Sequence, residues 1–274
     1  MGLLRNALRN AKDLLLHLRL TKPGTMADLT RNPFQIDDSL FRRARHWTHE
    51  LYRGIDNERV EIIYCTTRQK SETVAATFLK EPVIGFDMEW HPSRSRARTN
   101  NDQPSVDPGA ARAAYLKGNI SLIQVATESR IALFHIARHA GSTVAELVPP
   151  SLRRLIESAA ISKAGVAVYK ADGMRLQRFF KLKPRGMAEL SYMHNVVTFA
   201  ADCPRQANKK LVALKTLTLL HLGLPLSKGP VRTSDWTLPL DEDQTRYAAA
   251  DAYAGFMIYK ALERKRLALS LIHI

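Results

Sequence analysis

The sequence predicts an α/β fold, a mixed β-sheet flanked by helices, and two observations carry that expectation. Short apolar runs rich in β-branched and aromatic residues recur near 60–66, 83–90, 119–126, 130–136 and 163–169. Segments of helical spacing fall between and after them, near 70–80, 150–159, 173–181, 187–200 and 211–221, with a last one from Asp241 to Leu262. The closely spaced early strands read as antiparallel, and the later ones alternate with helices. A chain of 274 residues can hold one well-buried domain with a small extension. The natural division is an N-terminal extension over 1–55, a domain over 56–267 and a tail over 268–274.

Within the strand VIGFDMEW, side chains alternate faces, so Ile84, Phe86, Met88 and Trp90 share one side. Asp87 and Glu89 share the other, roughly 7 Å apart along the strand. Two carboxylates so placed repel one another unless a cation lies between them or one keeps its proton. A lone D-x-E is also common as a solvated edge, but the apolar flanks here argue against that.

The last helix adds a second pair. Its first turn is acidic (Asp241, Glu242, Asp243), as suits a helix N-terminus. Its apolar stripe runs Tyr247, Ala250, Ala254, Ile258, Leu262, and Asp251 falls inside the stripe one turn beyond Tyr247. A tyrosine there is ordinarily packing. An aspartate there needs a partner, and no basic residue lies one turn away to supply it. A fourth acid, Asp172 in VYKADGMRL, sits at an expected strand–helix junction, where an aspartate commonly caps the helix. That role and metal ligation are compatible.

VIGFDMEW, ADGMRL and RYAAADAYAGFMIY, with ISLIQVAT and LKTLTLLHLGLPLSKG…SDW between them, resemble the motifs of the DEDD exonucleases. The match is to the tyrosine-bearing DEDDy branch that includes the ribonuclease D and Werner-type groups, and it covers roughly residues 60 to 265. The resemblance implies a ribonuclease H-like fold and hydrolysis of DNA or RNA from 3′ ends with magnesium or manganese. It implies that Asp87, Glu89, Asp172 and Asp251 bind two divalent ions, and that Tyr247 stands beside the attacking water. Two metals about 4 Å apart can clamp an in-line displacement at phosphorus. An unperturbed phenol titrates near pH 10, so Tyr247 is assigned to orienting the water, not to deprotonating it.

The chain departs from that family in two places. The stretch GVAVYKAD is slightly longer than in some relatives, which bears on where Asp172 falls. Residues 91–118 are rich in Pro, Ser, Asn and Arg and read as a long inserted loop. It is either a plain surface insertion or an arm whose Arg94, Arg96 and Arg98 grip phosphates.

Composition narrows the function classes. A formal charge of +15, from 41 basic against 26 acidic residues, suits a polyanionic partner such as nucleic acid. Two cysteines, Cys65 and Cys203, exclude a disulfide framework and suit a reducing intracellular compartment, nuclear or cytoplasmic. None of the nine histidines has zinc spacing. The leader places Leu3, Leu4, Ala7, Leu8, Ala11, Leu14, Leu15 and Leu18 on one helical stripe with Arg5, Arg9 and Lys12 off it. A mitochondrial transit peptide and a docking helix both fit, although Asp13 and the absence of serine in the first twenty residues speak against the former. The expected function is a metal-dependent 3′-5′ exonuclease. A catalytically silent nucleic-acid-binding module of the same fold is the alternative from another class, and an endonuclease on the same scaffold is the alternative enzyme.

Overall fold

The computed structural model describes residues 34–92, 107–200, 202–227 and 229–272. The leader stripe and Arg94, Arg96 and Arg98 lie outside the described residues. In chain order the strands are β1 (Gln35–Ile36), β2 (Tyr52–Arg53), β3 (Glu61–Cys65), β4 (Val83–Glu89), β5 (Leu122–Ala126), β6 (Arg130–Phe134), β7 (Ser162–Gly165) and β8 (Met187–Glu189). The helices are α1 (Asp38–Arg43), α2 (Arg68–Thr77), α3 (Pro108–Asn119), α4 (Val144–Leu147), α5 (Pro150–Glu157), α6 (Met174–Phe180), α7 (Leu190–Phe199), α8 (Leu214–Leu222) and α9 (Glu242–Ile272).

Strands β3 to β8 form one mixed sheet in the order β3-β6-β5-β4-β7-β8. The β4-β5-β6 portion is antiparallel, while β3–β6, β4–β7 and β7–β8 pair in parallel. Apolar clusters bury both faces, one under α9 and one containing residues of α2, α5 and α6. The α/β class with a mixed sheet between helical layers is therefore as the sequence predicts. Alternation on β4 decides the site: Ile84, Phe86 and Met88 enter the second cluster, leaving Gly85, Asp87 and Glu89 toward α9.

Helix α9 is buried nearly all round over its middle, where Ala248, Ala249, Ala252, Tyr253, Ala254 and Ile258 are solvent-free. The expected single stripe was too narrow a description. An alanine-rich helix can be covered on every side because its backbone comes close to its neighbours. A Cβ on Gly85 would overlap the carbonyl oxygen of Ala252, and one on Gly255 would stand 2.7 Å from the carbonyl oxygen of Ala164. Glycine at both positions lets α9 lie directly on β4 and β7.

The structure corrects the sequence reading at four places. Residues 34–55, assigned to the extension, pack into the domain. Phe34, Trp47, Leu51 and Tyr52 join the cluster under α9, and the Trp47 ring stacks on Tyr253 with centroids 5.9 Å apart. The inserted 91–118 segment is not all loop, because α3 occupies its end. Asp107 accepts the Gly109 amide there, and Pro108 sits in the first turn, where no amide is needed.

The strand expected at 163–169 stops at Gly165, where a Cβ would meet the Phe86 carbonyl at 2.6 Å. Ala167 then turns left-handed (φ 57°), and a π-helical turn runs over Val168–Gly173. Finally, the helix expected from 187 begins at Leu190, because Met187–Glu189 pair with β7 as an edge strand and the Glu189 carboxylate caps α7 at the Ser191 amide. Among the described residues, no helix is long and apolar enough to cross a membrane.

Gly85→Ala forces a methyl into the α9 backbone. It is expected to cost about 3 kcal/mol of unfolding free energy, read from the urea midpoint at unchanged m-value.

Candidate active site

Gly85 fixes α9 two residues before Asp87, and Gly255 does so one turn after Asp251. The acids are therefore delivered to each other by the same contact. Carboxylate oxygens of Asp87, Glu89 and Asp251 lie within 4.8 Å of one another. They line a cleft of about 430 Å³ with Phe86, Met88, Trp90, Pro92, Gly165, Val166, Leu214, Arg232, Thr233 and Tyr247. Glu89 is buried, while Asp87 and Asp251 are half-buried at the cleft floor.

Electrostatics confirms how strained this grouping is without a cation. Burial pushes the Asp87 carboxyl up to about 7. Burial and the Asp87 charge push Asp251 up to about 8. Glu89 is raised well above the usual range by burial and then by Asp87, Asp251 and Asp172, with Arg232 opposing. Three hard oxygen donors that cannot all ionise together are the donor set that a divalent cation fits.

Asp172 occupies the last turn of the π segment, 3% exposed. It does not cap α6, whose first amides receive no side-chain bond. The capping role is thus excluded. Burial, then the charges of Asp87 and Glu189, raise its pKa, with Arg175 opposing. It is near enough to feel Asp87 but stands outside the 4.8 Å grouping of the other three. Glu189 supports the π turn by accepting the amides of Ala167 and Val168.

The Tyr247 phenol donates to the Asp251 carboxylate, and burial and then the charges of Asp251, Glu89 and Asp87 raise its pKa far above the ordinary phenol value. Its ring lies 6.0 Å from that of Trp236, which is fully buried. Trp236 is tied down by its carbonyl, which accepts from His135 Nε2 at 2.9 Å. The other His135 nitrogen meets the Tyr64 hydroxyl at 2.6 Å, and that hydroxyl accepts the Leu240 amide at 3.2 Å. Burial lowers the His135 pKa to about 4, so the ring is neutral and each nitrogen has one role: Nε2 donates and Nδ1 accepts.

All five sequence-predicted residues thus converge on one region. Sequence reasoning missed two neighbours. Arg232, in the 3-10 turn Pro230–Thr233, lines the cleft and lowers the pKa of both Glu89 and Asp251. Nothing in its local sequence sets it apart from the other basic residues. Gln124 pairs with Asp87 across β4 and β5, fully buried, and its amide has no hydrogen-bond partner among the described residues. A glutamine amid the apolar run ISLIQVAT was the available signal.

A family model described as 3′-5′ exonuclease matches residues 108–266, which include Asp172, Tyr247 and Asp251. The chain is 32% identical over 200 residues to the bifunctional 3′-5′ exonuclease/ATP-dependent helicase WRN of Mus musculus, a match covering 70% of this chain and 12% of that protein. It is 26% identical over 211 residues to a 3′-5′ exonuclease of Arabidopsis thaliana, covering 76% of this chain and 60% of that one. The chain therefore spans less than two thirds of either relative. In fold it is similar to Escherichia coli RNase D, with a TM-score of 0.54 at 19% identity, over 76% of this chain and 46% of that one. The chain belongs to the 3′-5′ exonuclease family, of the DEDDy type.

Each cluster carboxyl keeps its proton to a higher pH folded than unfolded. Between about pH 4 and 8 the folded state binds more protons, so stability is lost as pH rises through that window. In EDTA, the thermal midpoint is expected to fall from pH 5 to pH 8. Asp251→Asn should flatten that slope and raise the midpoint at pH 8, as followed by circular dichroism; an unchanged slope would show that the three acids do not repel one another.

Proposed function

We propose that the protein hydrolyses phosphodiester bonds from the 3′ end of DNA or RNA. The observation that carries this reading is the meeting of Asp87, Glu89 and Asp251 within 4.8 Å at the floor of an open cleft, beside Tyr247. These three acids, with Asp172 adjoining, would hold the divalent ions. Magnesium or manganese, when bound, supplies positive charge against the carboxylates, lowers the pKa of bound water and neutralises the leaving oxygen.

The chain's own groups do the rest. Near neutral pH Tyr247 is protonated, as an ordinary phenol is; it donates that proton to Asp251, and its oxygen accepts from the attacking water and fixes its direction. Its aim is held by Asp251 on one side and by Trp236 on the other, and Trp236 is in turn fixed through His135 and Tyr64. Arg232 stands over the cleft as the cation for the scissile phosphate. Trp90, Val166 and Leu214 furnish apolar walls against which sugar and base can lie. The overall charge of +15 favours the approach of a polyanion.

A catalytically silent binding module would have no need of the full set of four acids and the tyrosine. An endonuclease would cut internally, so a 5′-labelled oligonucleotide separates the readings. The expected result is a ladder shortening from the 3′ end in magnesium or manganese. Internal fragments would indicate the endonuclease, and intact substrate with a mobility shift the binding module. Asp87→Ala and EDTA are each expected to abolish the ladder; its persistence would overturn the assignment of the acids. Tyr247→Phe is expected to lower kcat by about 10- to 100-fold with KM little changed, the rate equivalent of one hydrogen bond to a charged group.

A further inference from the structure

The cleft wall does not end at Trp90. The Arg175 guanidinium lies 4.0 Å over the Trp90 ring and 5.2 Å from the Phe179 ring centre. Phe179 meets the edge of Tyr115 on α3 at 5.9 Å, and Arg178 approaches it at 5.3 Å. Planar groups therefore follow one another without a gap from the cleft onto the surface shared by α3 and α6. Arg175 holds that row rigid by donating to the backbone oxygen of Asn119 at 2.9 Å, which joins α6 to the end of α3. The end of β4 is tied there too, since the His91 amide donates to the Gly118 carbonyl at 3.0 Å.

Tyr115 is 47% exposed, although an aromatic ring on a helix surface would ordinarily be turned inward. Helices α3 and α6 together carry Arg112, Lys117, Arg175 and Arg178 and no acidic residue. An exposed ring continuing a row of half-buried rings and cations is what a single nucleic-acid strand can use: a face for a base to stack on, and charge for its phosphates. A protein partner would find little apolar area here, and a duplex could not offer its base faces.

We propose that the row from Trp90 through Arg175 and Phe179 to Tyr115 and Arg178 is the path of a single strand of DNA or RNA leaving the cleft. The direction of the strand rests on the exonuclease reading above; binding along the row does not. Stacking is blind to the sugar, so the path accepts both nucleic acids. Helix α3 closes the 91–118 segment, which gives that segment a role as one bank of the path.

The test measures binding of fluorescent single-stranded DNA and RNA oligonucleotides to the full chain in EDTA, so that affinity is read without cutting. Tyr115→Ala is expected to weaken binding about 10-fold, as loss of one stacked base does, while Tyr115→Trp retains it. Arg178→Ala should weaken binding and lower the slope of log affinity against log salt by about one, whereas Lys80→Ala, at the opposite end of β4, should do neither. Melting midpoints of all variants identify any that fail to fold. Variants of Tyr115 and Arg178 that bind like the parent, or no more weakly than Lys80→Ala, overturn the path. A parent chain that binds with this pattern yet shortens no substrate in magnesium or manganese keeps the path and overturns the exonuclease reading instead.

Discussion

Everything at the site depends on the close approach of two backbones. Helix α9 rests on β4 and β7 with no side chain between them at Gly85 and Gly255. This contact carries the largest apolar cluster and brings Asp251 to Asp87 and Glu89. A methyl at Gly85 would overlap the Ala252 carbonyl oxygen, and a shift of about 1 Å to relieve it would disturb acids that lie within 4.8 Å of one another. Stability and site geometry are thus set by the same pair of glycines, and neither can be tuned without the other.

The carboxylate cluster is the charge held against that packing. Burial and mutual repulsion both raise the acids, and only Arg232 and the Tyr247 hydroxyl oppose them at Asp251. The surrounding frame has to be stiff enough to hold like charges together, and the buried Tyr64–His135–Trp236 network behind Tyr247 provides part of it. Each polar atom in that network has a partner of the right kind, which is the condition under which a buried polar chain rigidifies a fold.

Sequence patterning reached the central strands and the last helix and singled out Asp87, Glu89 and Asp251, because alternation on β4 and the position of Asp251 within an apolar stripe are local signals, whereas Asp172 and Tyr247 entered only through the family resemblance. It failed where tertiary contact overrode local preference. Val166 to Tyr169 have strong β character, yet the chain leaves the sheet at Gly165 and coils into a π turn. Met187–Glu189 have a helical pattern but are claimed by the edge of β7. The packing of Trp47 on Tyr253 joins residues far apart in sequence, so nothing near residue 47 announces that residues 34–55 belong to the domain. Arg232 is equally silent, being one arginine among many until folding brings it over the acids.

The site also has a history within each molecule. β4 is made early and α9 near the end of the described chain, so the cluster is closed by a contact of long sequence separation. Such contacts form late, since the intervening loop must be ordered first. During synthesis at the ribosome, Asp87 and Glu89 emerge long before Asp251 and Tyr247. A nascent chain threaded beside messenger RNA therefore holds Asp87, Glu89 and Asp172 but no site, and it acquires one only after α9 has cleared the exit tunnel.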